Sequence, residues 1–278
     1  MKEHGNVRVK TSRLEHLVKT AYRRFIFPCV KLPLHRQRLK LLWFIWQYWP
    51  ILALKNISCA DRMKLLARFV RIDWYVVHGH LSSEIAHVCT ELASRKARSN
   101  EVVIEAGCWN GGSAAKFSII CNMLGYRLMI YDSFAGVETP PLDQQGRENK
   151  SFFGEYSAPE VLVRDNLKRY GESEVCQIVK GWFKDTLAKA PVPYPVRLGY
   201  VDCDLVKGTE EALSGMIPSL ADDGCIFSED YHIKPVHNML RDTKNLERFS
   251  KRPIVLTALG PKLAVIKFKD GHPKLARV

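Results

Sequence analysis

Short apolar runs rich in β-branched residues alternate with helical patterns from residue 101 onward. The pattern predicts strands at 101–106, 127–132, 175–180, 196–202, 224–230, 253–259 and 262–268, and helices at 112–124, 159–170, 208–220 and 236–249. Strands that alternate with helices are typical of a largely parallel, doubly wound sheet. Only a Gly-Pro turn separates the last two strands, so we expect them to form an antiparallel hairpin at one edge. The chain is therefore predicted to be an α/β protein with a seven-stranded, Rossmann-like sheet.

The first hundred residues have a different pattern. An amphipathic helix is predicted at 81–94. The most apolar stretch, LLWFIWQYWPILAL at 41–54, is shorter than the roughly 20 residues that span a bilayer. We favour a pair of short helices that pack their aromatic faces onto the domain, and the alternative is a peripheral membrane contact through residues 20–54. The chain is therefore divided into a basic, aromatic-rich helical extension, 1–75, and a main domain, 76–278.

The charge distribution limits the classes of partner that the chain could bind, and the cysteine content indicates the compartment in which it works. Residues 1–100 hold 19 Lys and Arg against 6 Asp and Glu, whereas residues 101–278 hold 23 of each, so the whole net charge of +13 lies before residue 101. A basic leading segment of this kind contacts acidic lipid, nucleic acid or only water. The eight cysteines have no CxxC spacing, and the first residues lack the apolar core of a signal peptide. Both observations predict a reducing, cytoplasmic location.

The sequence EAGCWNGGSAAK, residues 105–116, places a carboxylate and a glycine-rich turn between a predicted strand and a predicted helix. The turn does not fit GxGxxG, it lacks the lysine of a phosphate-binding Walker loop, and Glu105 would repel a triphosphate. A ligand with both a cationic amine and a nucleoside suits the turn better, and S-adenosylmethionine is such a ligand. Asp132 ends the next strand, 25 residues after Gly107, where an acidic residue contacts ribose hydroxyls in doubly wound nucleotide sites.

Seven stretches between Gly79 and Phe268 read EAGCWNGGSAAKFS, IYDSFAGV, VRDNLKRYG, KGWFKDTL, VDCDLVKGTEEAL, GCIFSEDYH and LGPKLAVIKF. Taken in this order, they resemble the macrocin O-methyltransferase family of class I S-adenosylmethionine-dependent enzymes. The basic N-terminal segment lies outside the resemblance. The resemblance implies a seven-stranded, doubly wound class I methyltransferase sheet with a terminal antiparallel hairpin, preceded by an N-terminal helical extension.

The resemblance also implies three groups of cofactor contacts. The methionine end would meet Glu105, Ala106, Gly107, Gly111, Gly112 and Ser113, the ribose would meet Asp132 and Ser133, and the adenine side would meet Gly181, Trp182 and Phe183. Trp182 and Phe183 are equally compatible with ordinary core aromatics.

Acidic residues end two further predicted strands. Asp202 closes one strand, and Glu229 and Asp230 close its neighbour. We therefore expect three carboxylates to converge at the carboxyl edge of the sheet, where open α/β sheets bind ligands. Oxygen ligands of this kind suit Mg²⁺. Metal-dependent members of the resembled family bind magnesium with acidic residues at the ends of these two strands.

These features predict an S-adenosylmethionine-dependent, Mg²⁺-dependent O-methyltransferase that acts on a hydroxyl group of a sugar or glycosylated small molecule. The attacking oxygen must lose its proton, and the candidate bases are Asp202, Asp204, His232 and His237. His232 ranks first among the histidines because it lies two residues after Asp230. The polar insertion at 135–158 is longer than an ordinary connection, and we predict that it is a lid over the substrate.

Two other functions stay open at this point. A nucleic-acid methyltransferase could be recruited by the basic N-terminus, although the sequence has no Asn/Asp-Pro-Pro-Tyr motif for amino-group methylation. A methyltransferase fold without activity could serve as a binding module at a membrane surface, although Glu105, the glycines and the carboxylates argue against it. The sequence also leaves open whether the chain forms a homo-oligomer.

Overall fold

A seven-stranded sheet forms the centre of the part of the chain that the structure, a computed structural model, describes: residues 34–138 and 154–269. The strands are β1 (Val102–Ala106), β2 (Arg127–Asp132), β3 (Cys176–Lys180), β4 (Val196–Val201), β5 (Leu220–Ser228), β6 (Ile254–Ala258) and β7 (Ala264–Phe268). Their order in the sheet is β3-β2-β1-β4-β5-β7-β6. The first five pair in parallel, and β7 runs antiparallel to both β5 and β6. The predicted sheet and its terminal hairpin are therefore confirmed.

Helices precede the sheet and connect its strands. In the described residues they are α1 (Leu34–Gln47), α2 (Trp49–Leu52), α3 (Cys59–Tyr75), α4 (Ser82–Leu92), α5 (Gly112–Leu124), α6 (Glu160–Tyr170), α7 (Val206–Met216), α8 (Lys234–Arg241) and α9 (Thr243–Glu247). The helix α4 lies where the amphipathic pattern predicts it. The helix α5 follows the glycine-rich turn directly, so its first residues lie at the carboxyl edge of the sheet.

Several predicted elements begin or end a few residues away from those of the structure, and two of these differences have a clear local cause or consequence. The helix predicted at 236–249 is divided at Asp242, whose backbone leaves the helical region with ψ of 70° and whose side chain accepts the N–H of Asn245 to begin α9. The strand predicted at 224–230 ends at Ser228, and Asp230 begins a 3-10 turn. The second difference affects the site, because Glu229 and Asp230 lie in the turn beyond the sheet edge and not on the strand.

Helices cover both faces of the sheet. The central strands β1 and β4 are buried along their whole length, as expected for parallel strands between two helical layers. One face packs on α1 to α6 through a core that includes Phe117, whose ring meets Tyr200 edge-on at 5.1 Å between centroids. The other face packs on α7 to α9 through Leu213 and Leu240.

The described helices before residue 76 share the first of these cores. Phe44 and Tyr48 are buried, and the Tyr48 ring meets Phe69 of α3 edge-on at 5.3 Å between centroids. Residues 41–54 thus comprise the second half of α1 and the whole of α2, which pack one aromatic face onto the domain, as predicted, while the opposite face bears exposed tryptophans. Residues 1–33 of the predicted extension and 139–153 of the predicted lid lie outside the described residues.

Candidate active site

The glycine-rich turn between β1 and α5 passes very close to the end of β4. Gly107 has φ of 87° and Gly111 has φ of 76°, a backbone region that side chains disfavour. A Cβ atom on Gly107 would overlap the carbonyl oxygen of Asp202. Glycine is therefore required here, and its absence of a side chain brings the turn into contact with the segment that carries Asp202.

Asp132, at the end of β2, holds this turn through its carboxylate. One oxygen accepts the backbone N–H of Cys108 at 2.7 Å and of Trp109 at 3.2 Å, and the other accepts the N–H of Phe134 at 2.7 Å. The N–H of Gly181 donates to the Asp132 carbonyl at 2.9 Å, which places the segment after β3 beside the same point. The structure thus brings together the three segments predicted to contact the cofactor, and the ribose contact of Asp132 stays a prediction.

We expect Asp132→Ala to unfold at lower urea concentration than the unaltered chain, with a loss of about 2–4 kcal/mol. Three backbone N–H groups would lose a charged acceptor in a buried position. Asp132→Asn keeps one acceptor oxygen and is expected to lose about half as much. Urea melts of both variants measure the effect, and an Ala variant as stable as the unaltered chain would show that the carboxylate does not hold the turn.

Ser133, Trp182 and Phe183 extend the same edge. The Ser133 hydroxyl accepts the N–H of Ala135 at 3.1 Å and so closes the turn that follows Asp132. Trp182 precedes the 3-10 turn Phe183–Asp185, and Phe183 packs partly buried against the second core. The cofactor roles of these residues stay predictions, and the packing of Phe183 agrees with the core alternative stated for it.

Glu105 is a carboxylate enclosed by the protein. It has no exposed surface, and neither of its carboxylate oxygens meets a partner with hydrogen-bonding geometry among the described residues. Burial raises the pKa of Glu105 to about 8, and Ser113 and Lys116 lie close enough to offset only part of that rise. A buried carboxylate without a partner is costly. The site therefore fits a ligand that brings a cationic group, such as the ammonium of S-adenosylmethionine.

Three aspartates meet beyond the ends of β4 and β5. Carboxylate oxygens of Asp202, Asp204 and Asp230 all lie within 4.8 Å of one another. One oxygen of Asp230 accepts the N–H of Cys203 at 2.7 Å and of Asp204 at 2.8 Å, whereas its other oxygen has no hydrogen-bond partner among the described residues. Three hard oxygen donors with one unsatisfied oxygen fit a divalent cation such as Mg²⁺. We call these three residues the acidic triad.

Burial and mutual repulsion raise the pKa values in the acidic triad. Burial, and then the charge of Asp230, raise the pKa of Asp204 to about 7. The pKa of Asp202 is raised well above its ordinary value by burial and by the charges of Asp230 and Asp204. Three carboxylates that repel one another would be stabilised by a cation between them. Such a cation would in turn lower the pKa of each carboxyl group in the triad.

Glu229, His232 and His237 are not part of the acidic triad. The carboxylate of Glu229 forms a buried ion pair with Lys262. The third carboxylate beside Asp202 and Asp230 is therefore that of Asp204 and not that of Glu229. His232 is exposed at the end of the 3-10 turn. The His237 ring packs on Tyr231 at 4.4 Å between centroids. The metal role of Glu229 and the catalytic role of His232 stay predictions that this geometry does not favour.

The two ends of the insertion at 135–158 meet beside the acidic triad. Val137 donates to the carbonyl of Glu155 at 3.0 Å, and Gly154 donates to the carbonyl of Val137 at 3.2 Å. The next residue, Tyr156, meets Trp109 of the glycine-rich turn edge-on at 5.2 Å between centroids. Burial and the nearby charge of Asp204 raise the pKa of Tyr156 to about 12. Two aromatic rings therefore border the space between the glycine-rich turn and the triad.

A buried ion pair that sequence reasoning missed joins α5 to the N-terminal helices. The Lys116 ammonium has no exposed surface, forms an ion pair with Asp73 of α3, and lies 2.7 Å from His80 Nε2. The Tyr48 hydroxyl donates to Asp73 at 2.6 Å. Asp73, His78 and His80 are close enough to share a metal, but the lysine already supplies a cation there. The available signal was a single charged residue in the apolar sequence GSAAKFSIICNML of α5.

The strand order, the glycine-rich turn after β1 and the acidic residue that ends β2 define the class I methyltransferase fold. The solved structure of the O-methyltransferase NovP shares this fold, with a TM-score of 0.57 at 18% identity over 83% of this chain and 98% of that chain. The model of the macrocin O-methyltransferase family matches residues 85–255. The chain belongs to this family, as the resemblance in its sequence indicated.

Two curated relatives come from Streptomyces. The 8-demethyl-8-(2,3-dimethoxy-alpha-L-rhamnosyl)-tetracenomycin-C 4'-O-methyltransferase of Streptomyces olivaceus is 30% identical over 150 residues, which are 50% of this chain and 56% of that protein. The demethyldecarbamoylnovobiocin O-methyltransferase of Streptomyces niveus is 28% identical over 143 residues, 48% of this chain and 53% of that protein. The chain thus spans about half the length of these two relatives.

Proposed function

We propose that this chain is an S-adenosylmethionine-dependent O-methyltransferase that transfers a methyl group to a hydroxyl group of a sugar or glycosylated small molecule. Membership of the macrocin O-methyltransferase family and the names of the two Streptomyces relatives support the reaction type. The observation that carries the proposal is the contact between Gly107 and the backbone of Asp202, which sets the glycine-rich turn, the proposed cofactor site, beside the acidic triad.

The residues of the glycine-rich turn would bind and orient the cofactor, which supplies an electrophilic methyl group on a sulfonium. Glu105 would accept the ammonium of the methionine end, since it is a buried carboxylate that Ser113 and Lys116 stabilise only in part. Asp132 would keep the turn in one conformation and offer its remaining lone pairs to the ribose. Holding the reacting groups in line lowers the entropic cost of the displacement.

The acidic triad would act on the acceptor side of the reaction. Asp202, Asp204 and Asp230 would hold Mg²⁺, which would supply electrostatic stabilisation of the developing alkoxide. The acceptor oxygen forms a bond to the methyl carbon as the bond from that carbon to sulfur breaks, and the hydroxyl proton must leave. Asp204 is the proton acceptor that we propose, because its carboxylate lies near Glu155 and Tyr156 at the ends of the insertion, on the predicted acceptor side of the triad. Tyr156 and Trp109 would exclude water beside it.

Transfer of a tritiated methyl group from S-adenosylmethionine to a panel of acceptors tests the proposal. The panel holds rhamnosyl glycosides, other deoxysugar glycosides, RNA and DNA, each with and without a chelator. We expect label in a glycoside, with a rate that falls at least about a hundredfold in chelator because the triad loses its cation. Label in RNA or DNA would replace the glycoside acceptor, and an unchanged rate in chelator would remove the metal from the mechanism.

A further inference from the structure

A cluster of large apolar side chains is exposed on α1 and α2. Leu42 is 63% exposed, Trp46 is 69% exposed and Trp49 is 61% exposed, and we call these three residues the tryptophan face. Leu42 and Trp46 are four residues apart on α1 and therefore lie on the same side of it. The partly exposed Ile45 and Leu52 lie close to them in the chain. Monomeric proteins rarely expose several neighbouring apolar side chains of this size unless the patch binds something.

The packing of α1 and α2 leaves the tryptophan face outward. Phe44, Tyr48 and Ile51 alternate with the exposed residues and are buried in the core that covers the sheet. Both faces of the segment 41–54 are thus apolar, although the core can cover only one. The exposed face is therefore a surplus of apolar surface that packing within the described part of the chain does not explain.

The segment that carries the tryptophan face is strongly basic. Residues 16–60 contain eight Lys and Arg and no Asp or Glu. Four of the eight, Arg36, Arg38, Lys40 and Lys55, fall within or just after α1 and α2. Basic residues next to a membrane surface are attracted to acidic lipid headgroups, and tryptophan favours the interface between headgroups and acyl chains. The segment 16–60 thus combines a positive charge with exposed tryptophans.

We infer that the tryptophan face docks α1 and α2 onto a membrane surface that contains acidic lipids. None of the helices in the described ranges combines the length and the apolar character that crossing a bilayer requires. The contact would therefore be peripheral, with Trp46 and Trp49 in the headgroup region and the net positive charge of the segment attracted to the acidic lipids. This surface shares no residue with the acidic triad, and its binding to lipid does not depend on the function proposed for the triad.

Other occupants fit the same surface less well. Two copies of the chain related by a two-fold axis would bring the same patch together, and a segment without acidic residues would then face its own positive charge. Single-stranded nucleic acid would stack on aromatic rings. The patch also presents Leu42, Ile45 and Leu52, which have no ring face for a base. A lipid surface uses both the aliphatic and the aromatic side chains.

Vesicle flotation of the full chain tests this inference. We expect the chain to float with vesicles of equal parts phosphatidylcholine and phosphatidylglycerol, and to float less with phosphatidylcholine alone or at higher salt concentration. The double variant Trp46→Glu with Trp49→Glu is expected to bind the mixed vesicles at least about tenfold more weakly. The control is Val161→Glu with Leu162→Glu, which places the same two charges on α6, where these residues are 64% and 40% exposed, and should bind like the unaltered chain.

Thermal melting and circular dichroism show whether each variant is folded. If the double variant Trp46→Glu with Trp49→Glu is unfolded, the more conservative Trp46→Gln with Trp49→Gln is used in its place. Equal flotation of the double variant and the unaltered chain would overturn the inference. A dimer that the double variant dissociates, seen by sedimentation without vesicles, would assign the tryptophan face to a second copy. Binding of the unaltered chain to a single-stranded RNA homopolymer, lost in the double variant, would assign it to nucleic acid.

Discussion

Replacing Asp204 with asparagine is expected to lower the rate of methyl transfer by about a thousandfold, within the range usual for loss of a positioned general base. The variant keeps the size of the side chain, and the backbone N–H of Asp204 can still donate to Asp230. The fold and the glycine-rich turn should therefore be preserved. What disappears is the carboxylate that would accept the hydroxyl proton and that would also be one of the three ligands of Mg²⁺.

The measurement is methyl transfer to the acceptor that the panel identifies, together with S-adenosylhomocysteine affinity by calorimetry. Affinity for S-adenosylhomocysteine should change less than about threefold, because the carboxylate lies on the acceptor side. Asp222→Asn is the matched control, since the Asp222 side chain is 87% exposed and pairs with Arg252 on the surface. If Asp204→Asn transfers methyl groups as fast as the control, Asp204 is not the proton acceptor, and Asp202 is the next candidate.

Replacing Glu105 with glutamine is expected to have opposite effects on binding and on stability. Affinity for S-adenosylmethionine should fall about a hundredfold, because a buried carboxylate would no longer meet the ligand ammonium. The cofactor-free protein should become more stable at pH 8. The ordinary pKa of this group is 4.5, and burial raises it to about 8 in the folded chain.

The direction in which pH changes the stability follows from the number of protons that the folded and the unfolded chain bind. Between pH 4.5 and about 8 the folded chain holds a proton on Glu105 that the unfolded chain has released, so the free energy of unfolding falls as pH rises. Glutamine removes this dependence. We expect the gain in stability of the variant to grow between pH 5 and pH 8 to on the order of 3 kcal/mol.

Urea melts at both pH values and calorimetry with S-adenosylmethionine measure the two effects. Glu174→Gln serves as the control, because Glu174 is exposed and its substitution should alter neither quantity. A Glu105 variant that binds the cofactor normally would remove the ammonium contact from the proposed function. A variant whose stability changes with pH as that of the unaltered chain does would show that Glu105 is not the group that titrates.

Local patterns were enough to predict the sheet. Each strand has its own apolar run, and the turn at Gly260 and Pro261 is short enough to leave one topology for the final hairpin. The helix predicted at 236–249 was too long, because the capping bond of Asp242 to Asn245 ends one helix and begins another without interrupting the apolar pattern. Periodicity detects elements well and their ends poorly.

The sequence by itself determined which residues stand where strands end, and therefore that Glu105, Asp132 and Asp202 share one edge of the sheet. That follows because the carboxyl ends of parallel strands lie on the same side. The tertiary structure alone decided which carboxylates meet. Asp204 has φ of 59° and turns back beside Asp202, while Lys262, far along the chain, pairs with Glu229. The periodicity of the sequence carries no information about a single loop dihedral or about a partner far along the chain. These two features determine the position of each carboxylate group.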